Sequence, residues 1–417
     1  MAQYLKLVYQ FTIKKNNFMK ILVDQQKIEE LLTRGVENIY PKKEFLESRL
    51  KDGKQLTLYT GYDPTAPTLH IGHAITMMKL RQFQDLGHKV IMLIGDFTGM
   101  VGDPTDKTSA RTQLTREQVL ENCKNYQEQA STILSFEGDN PVEVKYNGTW
   151  FSKMNFADIL ELTSHFTVDR LMERDMFEKR KAENKPIFLH EFMYPVMQAY
   201  DSVVMDVDGE VGGNDQTYNM LAGRDLMKSL KNKEKFVLTT KLLVDSSGKK
   251  MGKSEGNMIA LSDTLEDMFG KVMSWTDDMI LKGFELCTKL PMDKVLQIEA
   301  ELKSGTNPRD IKLNLASEVV KTFLGEDFAQ KAKEYFIATF SKKVQPDDIS
   351  EIKPSIYDVV TLLVEANVCK SKSEARQVID QGGVKVNEVK IEEKDYAHAL
   401  VVGDIVQKGS RWFVKVK

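Results

Sequence analysis

The sequence predicts an α/β protein: a parallel sheet clothed in helices, then a helical region and a small α+β module. Three observations carry this. Residues 55–59 alternate like a strand, residues 70–86 repeat apolar side chains at helical spacing (Ile71, Ile75, Met78, Phe83), and residues 90–94 form an unbroken apolar run. Strand, helix and strand of these lengths make a parallel βαβ unit. Residues 263–340 read as helical almost throughout, and residues 356–417 as two helices followed by short alternating strands.

Taken in order, residues 1–18 carry Lys6, Lys14 and Lys15 with no acid and no arginine. A transit peptide is richer in Arg and Ser, and a signal peptide needs a longer apolar stretch. A loose extension is expected, with Met19 as a natural start. Residues 26–35 read as a short amphipathic helix. The strand at 55–59 should stop at Gly61, and a turn-rich stretch with Pro64 and Pro67 leads to the helix at 70–86, ended by Gly87. Charged helical segments follow over 115–134 and 155–181. A glycine-rich stretch, 208–213, precedes another helix and strand. Residues 341–355 turn polar, with Pro346 and Pro354, and mark a domain boundary. Beyond them come helices at 356–366 and 372–381, Gly382-Gly383, and strands to the end. The expected domains are thus 1–36, an extension and helix; 37–262, the sheet domain, with an insertion at about 118–210 and a lysine loop at 248–256; 263–340, helical; 341–355, a linker; and 356–417, the small module.

The 417 residues are 41% apolar and 29% charged, the balance of an ordinary globular protein, and at ~150 residues per domain they suggest about three domains. The longest apolar run is far shorter than the ~18 residues of a membrane-spanning helix. A net charge of −3 excludes a global basic field, so any RNA contact must be local. Cys123, Cys287 and Cys369 are odd in number and form no CxxC pair, against a disulfide scaffold or a structural zinc site. A reducing, cytoplasmic compartment is expected.

Chemistry is carried by three groups of residues. The first is His70-Ile71-Gly72-His73 at a helix start, where free N–H groups and the positive dipole end suit a phosphate. The imidazoles could donate to phosphoryl oxygens as charge builds there. A metal pair without a third ligand, or an accidental pair, are the other readings. No GxGxxG is present, which excludes a dinucleotide fingerprint. The second is Gly248-Lys249-Lys250-Met251-Gly252-Lys253-Ser254, a cationic loop able to clamp a polyphosphate, or merely a solvated basic loop. It has one residue too few between its glycines for a P-loop. The third is Tyr194, Gln198 and Asp201, spaced i, i+4 and i+7 on one face of an otherwise apolar helix. Burying an amide and a carboxylate there is costly unless they are satisfied. A structural polar network is the alternative.

Together, the histidine helix start and the Lys250-Met251-Gly252-Lys253-Ser254 loop ~180 residues later match the paired signature of class I aminoacyl-tRNA synthetases. With the stretch from Tyr59 to Ala66 and the Tyr194–Asp201 helix, the chain after about Asp24 resembles the bacterial-type tyrosyl-tRNA synthetases. The resemblance implies a Rossmann-like catalytic domain with an inserted helical region, a helical anticodon-binding domain and a C-terminal RNA-binding module shared with a ribosomal protein. It implies that Tyr59 and Asp201 bind the phenolic hydroxyl of tyrosine, that Asp103, Tyr194 and Gln198 hold its ammonium, and that Gln216 lies near its carboxylate. Asn214 stands where the family commonly has Ser or Thr. Asp63, Gly72 and Thr76 would lie along ATP, and Lys107 and Arg111 near the pyrophosphate or tRNA. His70, His73, Lys250 and Lys253 would be catalytic. Lys370, Lys372, Arg376, Lys385 and Arg411 would face RNA phosphates.

The expected partners are tRNA(Tyr), L-tyrosine, ATP accompanied by Mg2+, and a second copy of the chain joined through the insertion. Neither a membrane nor a protein-bound structural metal is expected. A hydroxyl-binding pocket leaves its polar groups unpaired when phenylalanine enters, an effect for which tyrosyl-tRNA synthetases are themselves the standard illustration. No insertion large enough for an editing domain is evident. A non-catalytic RNA-binding paralogue is disfavoured because histidines, lysines and pocket residues are all present. A tryptophan ligase is disfavoured because it has no use for a carboxylate aimed at a phenol.

Overall fold

The computed structural model describes residues 21–105, 113–245, 258–341, 349–409 and 412–417. Residues 1–18, Met19, Lys107, Arg111, Lys250, Lys253 and Arg411, for which the sequence carries expectations, lie outside them. Packing divides the chain into two units, Met1–Ala329 and Gln330–Lys417.

The first unit is built on six strands: β1 (Val36–Tyr40), β2 (Thr57–Tyr62), β3 (Lys89–Ile94), β4 (Glu143–Tyr146), β5 (Gly209–Gly213) and β6 (Phe236–Thr240). Their spatial order is β1-β6-β5-β2-β3-β4. β1 runs antiparallel to β6, and every other pair is parallel. A parallel sheet covered on both faces needs strands apolar on both. Leu58, Ile91, Met92, Val211, Val237 and Leu238 supply this and are all buried. β2 has β3 on one side and β5 on the other, so the winding reverses between β2 and β5. The carboxyl ends of those two strands border the switch-point crevice, where α/β sheets bind ligands.

Helix ends lock the surrounding layer. The principal helices are α1 (Gln25–Thr33), α2 (Ile71–Asp85), α3 (Leu189–Met205), α4 (Thr217–Lys231) and α5 (Ile280–Cys287), with α3 packed along α4. The last carbonyls of a helix lack partners and attract cations. Lys79 of α2, buried, donates to the carbonyls of Leu31 and Arg34 at 2.8 Å each. Arg34 then donates to four carbonyls at the end of α5: Phe284 (3.1 Å), Glu285 (2.9 Å), Thr288 (2.6 Å) and Leu290 (2.7 Å). In the helical region, Leu265–Met273 packs on Pro308–Phe323.

The structure departs from the sequence reading in several places. β2 does not stop at Gly61; it continues to Tyr62, because Gly61 pairs with Leu93 and Tyr62 with Ile94 in the parallel ladder. The segment at 115–134 contains two helices, Arg116–Cys123 and Tyr126–Ala130. That at 155–181 falls within three: Phe156–Thr163, Val168–Met172 and Asp175–Ala182. Here Asn155 and Thr167 accept from backbone N–H groups as N-caps, so each starts a new helix. β1 and β4 are strands that the hydrophobic pattern did not mark, and the glycine-rich stretch is itself β5.

In the second unit the strands β7 (Glu351–Ile352), β8 (Val384–Val386), β9 (Val389–Lys390), β10 (Ile405–Lys408) and β11 (Trp412–Val416) order as β7-β11-β10-β8-β9. Helices α6 (Val359–Glu365) and α7 (Lys372–Asp380) cover a core that includes Leu362, Leu363, Ile379, Val384, Val406 and Val414. β7 falls inside the stretch read as a linker, yet pairs in parallel with β11.

Replacing Arg34 with Ala leaves four helix-end carbonyls short of a charged donor, and at about 1–3 kcal/mol per buried unsatisfied group we expect a stability loss of roughly 2–4 kcal/mol. Urea unfolding of the variant checks this; a loss within about 0.5 kcal/mol of zero, the range of an ordinary surface change, would show that the α5 end is held by something else.

Candidate functional site

β2 ends at Tyr62, the turn that follows carries Asp63, and α2 begins at His70 on the same side of the sheet. A cavity of about 900 Å3 opens there. Tyr59, Asp63, His70, Gly72, His73, Thr76, Asp103, Tyr194, Gln198, Asp201 and Gln216 all line it, so every catalytic or substrate residue expected from sequence that is described falls in one place. Asn214 is not among the lining residues.

The α2 start is a reciprocal cap. His70 Nδ1 accepts from Gly72 N (3.1 Å), and His73 Nδ1 accepts from His70 N (3.2 Å). An imidazole accepting at Nδ1 while neutral carries its proton on Nε2. Burial keeps both neutral: it pushes His70 down to about 4 and His73 well below the usual histidine value, with His70 beside it a further cause. The rings stack with centroids 3.7 Å apart. Each therefore offers one neutral Nε2–H donor beside a helix N-terminus. A Cβ at Gly72 would stand 2.9 Å from His70 Cε1, so the glycine is required by the ring that folds over it. Thr76 donates to the His73 carbonyl (2.8 Å) and pairs with the Tyr62 hydroxyl (3.0 Å).

The chain just after the lysine loop is tied to the same helix start. Ile71 N donates to Ile259 O and Leu261 N to Leu69 O, 2.9 Å each. Leu243 and Met258, on either side of that loop in sequence, both line the cavity.

On the polar face of α3, Tyr194 and Asp201 are both engaged. Asp201, 2% exposed, accepts from Trp150 Nε1 (2.9 Å) and Asn147 Nδ2 (3.3 Å). Burial pushes its carboxyl well above the usual range, and those two donors oppose the shift. Asn147 also donates to Thr98 Oγ1 (2.9 Å), which donates to Asp63 (2.8 Å). Tyr194 donates its hydroxyl to the other Asp63 oxygen (2.8 Å). Asp63 is thus joined to the α3 face. Asp103 accepts from Thr105 N (3.0 Å), Thr105 Oγ1 (2.7 Å) and Gln216 Nε2 (2.6 Å), with Arg174 3.8 Å away. The Tyr59 hydroxyl pairs with Ser202 Oγ (2.9 Å), and burial pushes its phenol well above the usual value, so it stays protonated.

Asn147, Trp150, Thr98, Arg174, Ser202, Glu210 and Lys235 escaped the sequence reading. Glu210 and Lys235 did leave a sign: each is a charge inside or beside an otherwise apolar strand run, Glu210-Val211 and Lys235-Phe236-Val237-Leu238. In the second unit, Lys370, just before α7, and Lys372 and Arg376 on it are exposed, and Lys385 is half-buried on β8. Among the described residues no cluster of three or more His, Cys, Asp or Glu side chains could hold a metal, and no helix is long and apolar enough to cross a membrane.

A family model described as tRNA synthetases class I (W and Y) matches residues 51–341, and one for the tyrosine–tRNA ligase SYY-like C-terminal domain matches residues 340–401. The chain is 43% identical to the tyrosine–tRNA ligase of Haemophilus ducreyi over 396 residues, 94% of this chain and 99% of that one. It is 42% identical to that of Thermotoga maritima, over 93% and 96% of the two chains. Among solved structures, a C-terminally truncated mitochondrial tyrosyl-tRNA synthetase of Aspergillus nidulans matches with a TM-score of 0.62 at 21% identity, covering 80% of this chain and 99% of that one. The L-tyrosine complex of the Archaeoglobus fulgidus tyrosyl-tRNA synthetase gives 0.59 at 22%, covering 74% and 99%. At that identity these two speak to the fold.

The histidines carry a pH dependence. His70, and likewise His88, titrates near 4 when folded against 6.5 for the free side chain, so the folded state binds fewer protons. Their contribution to stability is complete above pH 6.5 and declines as pH falls towards about 4. We expect unfolding free energy to decrease over that window, and His70→Asn to flatten the decrease. A wild-type profile level across it would contradict neutral, buried imidazoles.

Proposed function

Because this chain belongs to the class I tRNA synthetases of the tryptophan and tyrosine group, we infer how its cavity carries out tyrosine–tRNA ligation. Tyrosine is activated with ATP to tyrosyl-adenylate and pyrophosphate, and tyrosine is then passed to the terminal adenosine of tRNA. In the first step the tyrosine carboxylate attacks the α-phosphate in line. No protein nucleophile is needed; positioning and charge stabilisation lower the barrier. ATP enters with magnesium on its phosphates.

The observation that carries tyrosine over tryptophan is Asp201, a buried carboxylate lining the cavity and steadied by Asn147 and Trp150. A phenolic hydroxyl is the substrate group that pairs with it and with Tyr59. Asp103, Tyr194 and the Gln198 carbonyl supply acceptors for the ammonium, and Gln216 lies towards the carboxylate. His70 and His73 present neutral Nε2–H donors to the phosphoryl oxygens, where negative charge grows in the transition state. Lys250 and Lys253 draw off the pyrophosphate, a role supported by the cavity position of Leu243 and Met258 on either side of them in sequence. Asp63 and Thr76 border the nucleotide, with Lys107 and Arg111 on its pyrophosphate side. Lys370, Lys372, Arg376, Lys385 and Arg411 meet tRNA phosphates.

The functional form is a homodimer. Its support is apolar surface concentrated in the insertion: Phe156 is 74% exposed, Leu160 56%, Val168 71% and Leu189 79%. Large apolar side chains left this exposed within one region are the kind of surface an interface covers. The three cysteines are free and buried, which fits a reducing cytoplasm.

Purified chain given tyrosine, ATP and tRNA(Tyr) is expected to form tyrosyl-tRNA; folded protein that forms none would remove the reading. Asp201→Ala should erase the preference for tyrosine over phenylalanine, and an unchanged preference takes Asp201 out of the pocket. Lys253→Ala should slow adenylate formation steeply with tyrosine binding nearly intact; equal losses in both would refute the pyrophosphate role. Light scattering should return twice the 47.6 kDa chain mass, and a monomer mass would refute the dimer.

A further inference from the structure

We propose that Glu210 and Lys235 are a positioning pair that decides which end of the Gln198 amide faces the cavity, and so builds the amino-group subsite of the tyrosine pocket. The inference rests on the reading of that pocket given above. Glu210 lies on β5, paired in register with Val237 of β6, and Lys235 is two residues before Val237, so the two side chains project from one face of the sheet. Glu210 is 2% exposed and Lys235 fully buried, and they form an ion pair.

Glu210 Oε1 accepts from Gln198 Nε2 at 2.9 Å. An ionised carboxylate has no proton to donate, so only the nitrogen end of the amide can face it. The Gln198 carbonyl oxygen is thereby left for the cavity that Gln198 lines. A substrate ammonium is a donor only, and an acceptor is what it needs there. Were Glu210 neutral, it could donate to the carbonyl and turn the amide around, presenting an NH2 to the ammonium. Lys235 Nζ donates to Glu210 Oε2, and this buried ion pair holds the carboxylate in place with Oε1 turned to the Gln198 amide as an acceptor.

The same ammonium reaches the other end of the pocket. Lys235 Nζ donates to Ser202 Oγ at 2.8 Å, and Ser202 Oγ pairs with the Tyr59 hydroxyl at 2.9 Å. Lys235 Nζ also lies 5.7 Å from the centroid of the Tyr59 ring. Room for it is made by Gly223 of α4, where a Cβ would stand 2.6 Å from Lys235 Nζ and 3.0 Å from Ser202 Oγ. One buried cation therefore supports the residues expected at both the amino and the hydroxyl ends of the substrate.

The test uses the full chain and its tyrosine-dependent pyrophosphate exchange, with Glu210→Gln and the doubly neutral Lys235→Met/Glu210→Gln. A glutamine at 210 keeps the shape but can donate, so the Gln198 amide is free to flip. Loss of one charge-assisted contact predicts a KM for tyrosine raised roughly tenfold or more in both variants. The KM for ATP, and the inhibition constant of 3-(4-hydroxyphenyl)propionate, which lacks the amino group, should stay within about twofold. An unchanged KM for tyrosine would overturn the proposal. So would parallel losses for ATP and for the deaminated analogue, which mark a merely structural pair. If Glu210→Gln does not fold, the double variant is read by the same criteria; failure of both to fold assigns the pair to the fold and overturns the positioning role. Wild-type exchange is the control that separates these outcomes, since its absence would count against the ligase reading itself.

Discussion

Placing three carboxyl groups, two of them buried and one half-buried, and a buried lysine around one cavity is the constraint on which this structure depends. Asp63, Asp201 and Glu210 line a space of about 900 Å3, and a polar group held there without a partner is costly whether charged or neutral. Each is therefore answered by a specific donor: Thr98 and Tyr194 for Asp63, Asn147 and Trp150 for Asp201, Lys235 and Gln198 for Glu210. These donors come from α3, from the residue just before β6 and from the segments after β3 and β4, while Glu210 itself stands on β5, so satisfying the carboxyl groups fixes how those elements meet. On the proposed reading, specificity for a hydroxylated ring comes from the same arrangement, because a substrate without the hydroxyl leaves part of it unpaired.

The α2 end of the cavity is built on a different distribution of charge. Instead of imidazolium cations it presents two stacked neutral rings whose Nδ1 atoms are already engaged by backbone N–H groups. Their orientation is set by the fold before any nucleotide arrives, which is the condition for electrostatic stabilisation without reorganisation. On the reading proposed above, net positive charge comes from the lysine loop, and the helix dipole of α2 acts in the same direction.

Much of this was legible in the sequence, and what was not shares a physical cause. α2 and β3 were plain because their periodicities are strong and their ends are marked by His70, Gly87 and the apolar run at 90–94. Tyr194, Gln198 and Asp201 could be grouped because helical spacing puts them on one face. β1 and β4 carried no such signal: each is an edge strand with a part-exposed burial pattern, so neither alternation nor a continuous apolar run develops. The partners of Asp201 were invisible for a further reason. Asn147 and Trp150 are more than fifty residues away along the chain, and only the parallel pairing of β3 with β4 brings them under α3. Glu210 and Lys235 are an intermediate case, legible as misplaced charges but not as a pair until the β5–β6 register is known.

On the proposed reading, a preformed polar pocket reads the phenolic hydroxyl of the amino acid in the adenylation step. The most direct test is exchange of labelled pyrophosphate into ATP by the purified chain without tRNA, with tyrosine, phenylalanine and tryptophan in parallel. We expect exchange with tyrosine and essentially none with the other two. Comparable exchange with phenylalanine, or none with any of the three from folded protein, would contradict it.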